Sequence, residues 1–441
     1  MNTPIFDFVK KYSASDISRL HMPGHKGKNF FGLEKFDITE VSGADVLSSA
    51  EGIIAESEKN ASALFGSGRT FYSTEGSAAA ICGMLALVGR GKTTILAARN
   101  VHKAFVHACA LLDYNVDWII PDDYTNLLKC EITAQNLEKK LLSSDKKPNA
   151  VYLTSPDYLG NIQNISEIAE VCRQYNIPLL IDNAHGAYLG FLEKSLHPIH
   201  LGATVCCDSA HKTLHVLTGG AYLHIAKDAP KEFAENAREK LSLFTSTSPS
   251  YLILQSLDLC NRYLFDGFRE KLSVCIEKTD SLKDFISSCG FAVLKTEPLK
   301  ITIESSRSGY SGNELAEILR ENKIEPEFCD NDFVVLMFTP QNSDLDFIRV
   351  QAALKSIFPR RPKSQASVKI PSPQTKMPIR EAVFAPSETV DVSTSIGRIC
   401  AAPTVSCPPA VPIAVSGEII TDKTAELFKF YGIEKIKVVK K

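Results

Sequence analysis

Between residues 70 and 225, short and almost wholly apolar runs alternate with longer stretches whose apolar residues recur at helical spacing. This alternation restricts the fold more than any other feature of the chain. "TTILAAR" (93–99), "VDWIIP" (116–121), "AVYLTSP" (150–156), "PLLIDNA" (178–184), "ATVCCDS" (203–209) and "GAYLHI" (220–225) read as strands. A strand apolar on both faces has to be covered on both faces, the condition met in a mostly parallel sheet with helices above and below. Between these runs, "NISEIAEVCRQYN" (164–176) sets Ile165, Ile168, Ala169 and Cys172 on one helical stripe. The expected architecture is an open, doubly wound α/β domain, whose ligands gather beyond the carboxyl ends of its strands.

After "STSPSYLILQSLDLCNRYL" (246–264), a long helix by pattern, the order of elements changes. "PLKITIES" (298–305), "NELAEILRENK" (313–323) and "DFVVLMFT" (332–339) read as strand, helix and strand of a smaller α+β domain. A Pro-, Ser- and Lys-rich segment follows and looks like a linker, and beyond it lies a compact tail dense in Pro and Ala. The expected organisation is an N-terminal arm (1–35), a large domain (36–265), a small domain (266–358), the linker (359–378) and a C-terminal domain (379–441).

At 441 residues and 44% hydrophobic composition, the chain can bury a large core. A formal net charge of -2 gives no footprint for nucleic acid or an anionic membrane. No run approaches the ~20 apolar residues of a spanning helix, and "MNTPIFDFVKKYSASD" has no signal-peptide pattern, so a cytoplasmic location is expected. The twelve cysteines form no CxxC pair and no metal-ligand spacing, which implies neither disulfides nor a metal.

"GRGKTT" (89–94) imitates a phosphate-binding loop, but Ala86 stands where that motif needs its first glycine, and the segment precedes a strand instead of following one. Four other places lie at strand ends. "FYSTEGSAAA" (71–80) reads as a polar turn opening a helix, where free N–H groups can hold a phosphate. "LLIDNAHGAYLGF" puts Asp182 directly after an apolar run, as a plain helix cap or as the partner of a cationic ring nitrogen. "RNVHKAF" places His102 past a third strand. "TVCCDSAHKTLHVLTGGAYLHI" (204–225) leads from a buried strand into Ser209, His211 and Lys212. A lysine is ordinarily a solvated loop residue. In a partly dry pocket its pKa falls below the reference of about 10.4 and it attacks carbonyls. A nucleophilic lysine, an aspartate for a pyridinium nitrogen and a phosphate cup at a helix start together suit pyridoxal 5'-phosphate.

The succession "RLHMPGHKG" (19–27), "DITEVSGADVL" (37–47), "STEGSAAA", "RNVHKAF", "IDNAHGAYLGF" and "DSAHKTLHVLTGGAYLHI" resembles, in order and spacing, the fold-type I ornithine/lysine/arginine decarboxylases, most closely their shorter bacterial forms. The tail "REAVFAPSETVDVSTSIGRICAAPTVSCPPAVPIAVSGE" is similar to that family's C-terminal domain. The resemblance implies an aspartate aminotransferase-like large domain and assigns Lys212 as the Schiff-base lysine. It makes Asp182 the ring-nitrogen partner and His102 the imidazole stacked on the ring. Gly76, Ser77, Ala78, Ser209 and His211 then surround the phosphate, with Ala184 and His185 also at the cofactor. Ser246 of "TSTSP" (245–249) resembles a residue that reaches the neighbouring subunit's phosphate, which implies a homodimer or higher homo-oligomer with shared sites. Glu418, then Glu381, is expected at the substrate's distal cation, and His25 of "PGHKG" near the substrate. The chain departs from the family at Ala78 and Ala79, which supply no hydroxyls, and at Ala410 and Ser416 in the tail.

The expected reaction is α-decarboxylation of a basic amino acid to its amine and CO2, a step of the polyamine-precursor type, with arginine ahead of lysine and ornithine. Two other classes stay open at this stage. One is a fold-type I aminotransferase or lyase that clamps the carboxylate with Arg307 or Arg349. The other is a non-catalytic protein on the same fold, which would be expected to have lost the lysine.

Overall fold

The computed structural model describes residues 1–89, 91–121, 124, 126–363, 370–407 and 411–440. Ala410 and part of the expected linker lie outside them. The chain forms two compact units, one of Met1–Gly91, Asn149–Tyr152 and Ile165–Glu270, the other of Lys92–Pro148, Leu153–Asn164 and Lys271–Lys441. Strands are numbered along the chain: β1 Arg69–Ser73, β2 Thr94–Ala98, β3 Asn115–Ile119, β4 Ala150–Thr154, β5 Leu179–Asp182, β6 Val205–Asp208 and β7 Ala221–Ile225. There follow β8 Lys300–Glu304, β9 Phe328–Cys329, β10 Phe333–Met337, β11 Ser387–Asp391, β12 Thr404–Cys407, β13 Val411–Val415 and β14 Lys435–Val439.

In the first unit the strand order is β1-β7-β6-β5-β4. β5 and β6 run parallel, with Asp182 opposite Cys207, while β7 lies antiparallel between β6 and β1. Their side chains are buried on both faces, as the unbroken apolar runs require. The helix Gly76–Leu87 is apolar around its circumference and mostly buried, and the helix Ile165–Gln174 buries the expected stripe. One difference from expectation lies at the start of "FYSTEGSAAA". Phe71 to Ser73 belong to β1, and the turn is confined to Thr74 and Glu75. The Ser73 hydroxyl closes that turn, donating to the Gly76 carbonyl at 3.1 Å and accepting the Glu75 N–H at 3.3 Å.

In the second unit β2 and β3 pair in parallel, and β8, β10 and β9 form an antiparallel sheet in the order β8-β10-β9. The residues after 378 form two further antiparallel pairs, β11 with β14 and β12 with β13. Among the described residues, no helix is long and apolar enough to cross a membrane.

Candidate active site

β5 ends on Asp182, whose side chain is buried. It accepts hydrogen bonds from the Ala184 N–H at 3.2 Å and the Tyr152 hydroxyl at 3.3 Å, and the Cys207 thiol lies 3.8 Å away. Burial pushes the Asp182 carboxyl above its ordinary range, and the Lys212 charge together with these donors pulls it only part of the way back. A carboxylate in this setting is stabilised by a cationic N–H donor, and a protonated pyridine nitrogen is one.

Lys212 sits on a single helical turn, Ala210–Thr213, immediately after β6. The half-buried ammonium donates from Nζ to Nε2 of buried His185 at 2.9 Å. His185 follows Asp182 on the same strand exit, so the lysine and the aspartate meet across adjacent strand ends.

The third part lies at the start of the helix Gly76–Leu87. Gly76 adopts φ +71, a left-handed conformation that favours glycine, although a Cβ there would meet nothing within 4 Å. Its N–H donates to the Gly219 carbonyl at 2.7 Å. At Gly219 the constraint includes space as well, since a Cβ would come 2.8 Å from the Thr74 carbonyl oxygen. The "LTGG" return therefore folds against the helix start. Ser209 donates to Ser77 at 2.6 Å, which joins the β6 exit to this first helical turn. His211 is anchored by its backbone N–H and its Nδ1, both directed at the Gly220 carbonyl at 3.2 and 3.0 Å. Ala78, without a hydroxyl, is exposed beside Ser77.

These contacts bring together Asp182, Ala184, His185, Lys212, Ser209, Ser77 and Gly76. Ser246 is exposed, and its N–H donates to Glu75 at 3.3 Å. His25 pairs with Asp37 at 3.2 Å and accepts the Gly27 N–H at 3.0 Å. The remaining expected residues belong to the second unit. His102 caps the helix Lys103–Leu112, its Nδ1 accepting the Ala104 N–H at 3.2 Å. Glu381 is exposed on the helix Ile379–Phe384. Glu418 is buried in a bidentate ion pair with Arg99, at 2.7 and 2.9 Å, and also accepts the Val415 N–H at 3.0 Å. Both of its oxygens are thus engaged within the chain.

Two features escaped the sequence reading. Tyr152 is one apolar-run residue among several, with nothing local to mark its bond to Asp182. The second is a buried group formed by Asp208, His197 and His224. Its signal was present in the sequence: His224 interrupts "AYLHI", and Asp208 ends "VCCD".

The site supplies an amine for an aldehyde, a buried carboxylate for a ring nitrogen, and hydroxyls at a glycine-led helix start for a phosphate. Those three chemistries fit pyridoxal phosphate, and on this α/β frame they define a fold-type I enzyme. The profile described as "Orn/Lys/Arg decarboxylase, major domain" matches residues 3–302, and the chain belongs to that family of pyridoxal-phosphate-dependent amino acid decarboxylases. It is 30% identical to an arginine decarboxylase of Halalkalibacterium halodurans, over 95% of this chain and 91% of that protein. With an arginine decarboxylase of Bacillus subtilis it shares 27% over 96% and 92%. Among solved structures, a lysine decarboxylase of Francisella novicida superposes with a TM-score of 0.83 at 18% identity, covering 99% of this chain and 81% of that one.

Proposed function

We propose that the protein decarboxylates arginine at Cα, releasing CO2 and the corresponding amine. The observation that favours arginine is the similarity to relatives named arginine decarboxylase over nearly the whole chain. Bound pyridoxal phosphate supplies the electron sink that lets the α-carboxylate depart. Lys212 would provide the amine that holds the cofactor. Asp182 would accept the ring-nitrogen N–H as a carboxylate, since a buried negative charge held only by neutral donors gains most from a cationic partner. His185, in contact with Lys212 Nζ, takes up or returns the proton that the amine exchanges with the substrate. Gly76, Ser77, Ala78, Ser209 and His211 would hold the phosphate.

The reading includes a homo-oligomer in which Ser246 serves a neighbouring site. Supporting it, the N-terminal segment presents Leu20, Phe30 and Phe31 at 92, 98 and 80% exposure, an apolar surface suited to burial against a second copy. A cytoplasmic location belongs to the same proposal.

The test is product analysis with pyridoxal phosphate and each of arginine, lysine and ornithine. Amine and CO2 formed fastest from arginine is the expected result. A keto acid product overturns decarboxylation, and preference for either other amino acid overturns the substrate. Borohydride reduction should fix the cofactor on the peptide containing Lys212. A label on Lys26 or Lys103 removes Lys212 from its role.

A further inference from the structure

One carboxylate beneath the site gathers four separate segments. Asp208, the last residue of β6, receives His197 Nε2 at 2.9 Å and His224 Nε2 at 3.2 Å on one oxygen, and the Asn183 side-chain amide at 2.7 Å on the other. His197 opens the short helix Pro198–Leu201, His224 lies in β7, and Asn183 is the first residue after β5. Asp208, His197, His224 and Asn183 have no solvent exposure. The Phe65 ring closes the group, with centroids 5.6 Å from His197 and 4.6 Å from His224.

Three buried ligand-type side chains invite a metal, but the outer ring nitrogens argue otherwise. His197 Nδ1 accepts the Ile199 N–H at 3.4 Å, so its proton sits on Nε2, facing Asp208. His224 Nδ1 faces the Thr70 hydroxyl at 2.8 Å, and Thr70 Oγ1 lies 2.8 Å from the Ser67 hydroxyl, so a hydroxyl proton can run from Ser67 through Thr70 to Nδ1. With the hydroxyl protons directed along that chain, His224 also presents Nε2–H to Asp208. Each donor then has an acceptor, both rings are neutral, and no nitrogen lone pair points inward for an ion. Burial pushes the His224 ring toward the same neutral form.

We infer that Asp208 is a positioning residue for the cofactor site, a hydrogen-bond hub that fixes the exits of β5 and β6. The inference rests on the reading of Lys212 and Asp182 given above. Asn183 directly follows Asp182, and its backbone N–H is also bonded to the Cys207 carbonyl at 2.9 Å. Ser209 directly follows Asp208, and Lys212 is on the same turn. One anion therefore holds the spacing between the carboxylate, the lysine and the phosphate-side hydroxyl, while neutral donors balance it without a competing cation.

The experiment uses the full chain in two measurements. In 15N-histidine NMR of the cofactor-free protein, His197 and His224, identified by loss of signal in His197→Gln and His224→Gln, should both be neutral Nε2–H tautomers. An Nδ1–H tautomer on either ring, or one bound metal per chain by elemental analysis, overturns the hub. In spectroscopic titration with pyridoxal phosphate, Asp208→Asn should weaken binding about ten- to a hundredfold, by analogy with the loss of outer partners of metal ligands. Asp258→Asn, which alters a different buried carboxylate of the same unit, should leave the affinity at the parent value. Equal weakening in both variants overturns the positioning role. If Asp208→Asn does not fold, Asn183→Ala removes a single donor and should weaken binding less. An unchanged affinity there also overturns it. A borohydride label away from Lys212 would sink the site reading while leaving the tautomer result intact.

Discussion

Asp182 and Glu418 are both buried carboxylates, 2 and 4% exposed, and the chain treats them in opposite ways. At the end of β5, Asp182 is surrounded by a backbone N–H, a phenol and a thiol, and burial raises its proton affinity. In the tail, Glu418 is clamped by the two terminal guanidinium nitrogens of Arg99, whose charge also lies 4.6 Å from the Trp118 ring centroid. A charge buried among neutral donors is stabilised by any cation brought to it, whereas one in a bidentate pair is already neutralised. Burial of an acid therefore does not by itself mark a ligand site; the acid's existing partner decides.

The largest effect expected from this contrast is at Asp182. Asp182→Asn keeps the shape and the capping capacity but cannot hold a proton on a ring nitrogen. Turnover should fall by two or more orders of magnitude, about 3 kcal/mol or more of transition-state stabilisation. The melting temperature of the cofactor-free protein should hold or rise, because a buried carboxyl whose ionisation burial disfavours has been replaced by a neutral amide. Near-parental turnover would reduce Asp182 to a cap.

Glu418→Gln should show the reverse pattern. It leaves Arg99 buried beside a neutral amide, a loss of about 3–5 kcal/mol for an orphaned member of a buried pair, read by denaturant unfolding. Replacing both members, Arg99→Met with Glu418→Leu, should recover most of that loss. If Glu418→Gln instead unfolds like the parent and raises KM for arginine, the carboxylate serves the substrate and the contrast fails.

The contrast also shows what the sequence could and could not reveal. The buried strands were legible because two-sided burial removes alternation; Asp182 stood out because it ends such a run, and Lys212 because it lies on the turn just beyond one. β1 was not fully legible, because Ser73, its last residue, carries genuine turn chemistry: its hydroxyl is bonded to Glu75 and Gly76 while its backbone belongs to the strand. The Arg99 pairing of Glu418 spans the chain from "AARN" to "VSGE" and leaves no local trace in either segment. The Asp208 hub is intermediate. A histidine inside an apolar run signals a buried partner, but naming that partner requires the antiparallel register of β6 and β7.

A third buried carboxylate sharpens the comparison with the smallest expected effect. Asp258 is fully buried, and like Asp182 it has neutral donors: the Ile5 and Phe6 N–H groups at 3.0 and 2.9 Å, at the start of the helix Pro4–Ser13, and the Ser57 hydroxyl at 2.6 Å. Burial raises its carboxyl from 3.8 to about 6. The folded protein thus holds this proton more tightly than the unfolded chain does. Below about pH 4 both states are protonated and the group has no effect. Between about pH 4 and 6 the unfolded chain has released the proton while the folded protein retains it, so stability falls as pH rises. Above about pH 6 both are ionised and the full penalty is present, at most about 3 kcal/mol for a shift of roughly two units. Asp258→Asn has no such proton to lose. Its melting temperature relative to the parent should therefore climb from pH 4 to 6 and then level off. Asp157 and Asp330, which burial also raises to about 6, are present in both proteins and cancel in the difference. A difference independent of pH would mean that the α-helical N–H groups and Ser57 keep Asp258 ionised throughout, and that neutral donors alone can hold a buried carboxylate without an arriving cation.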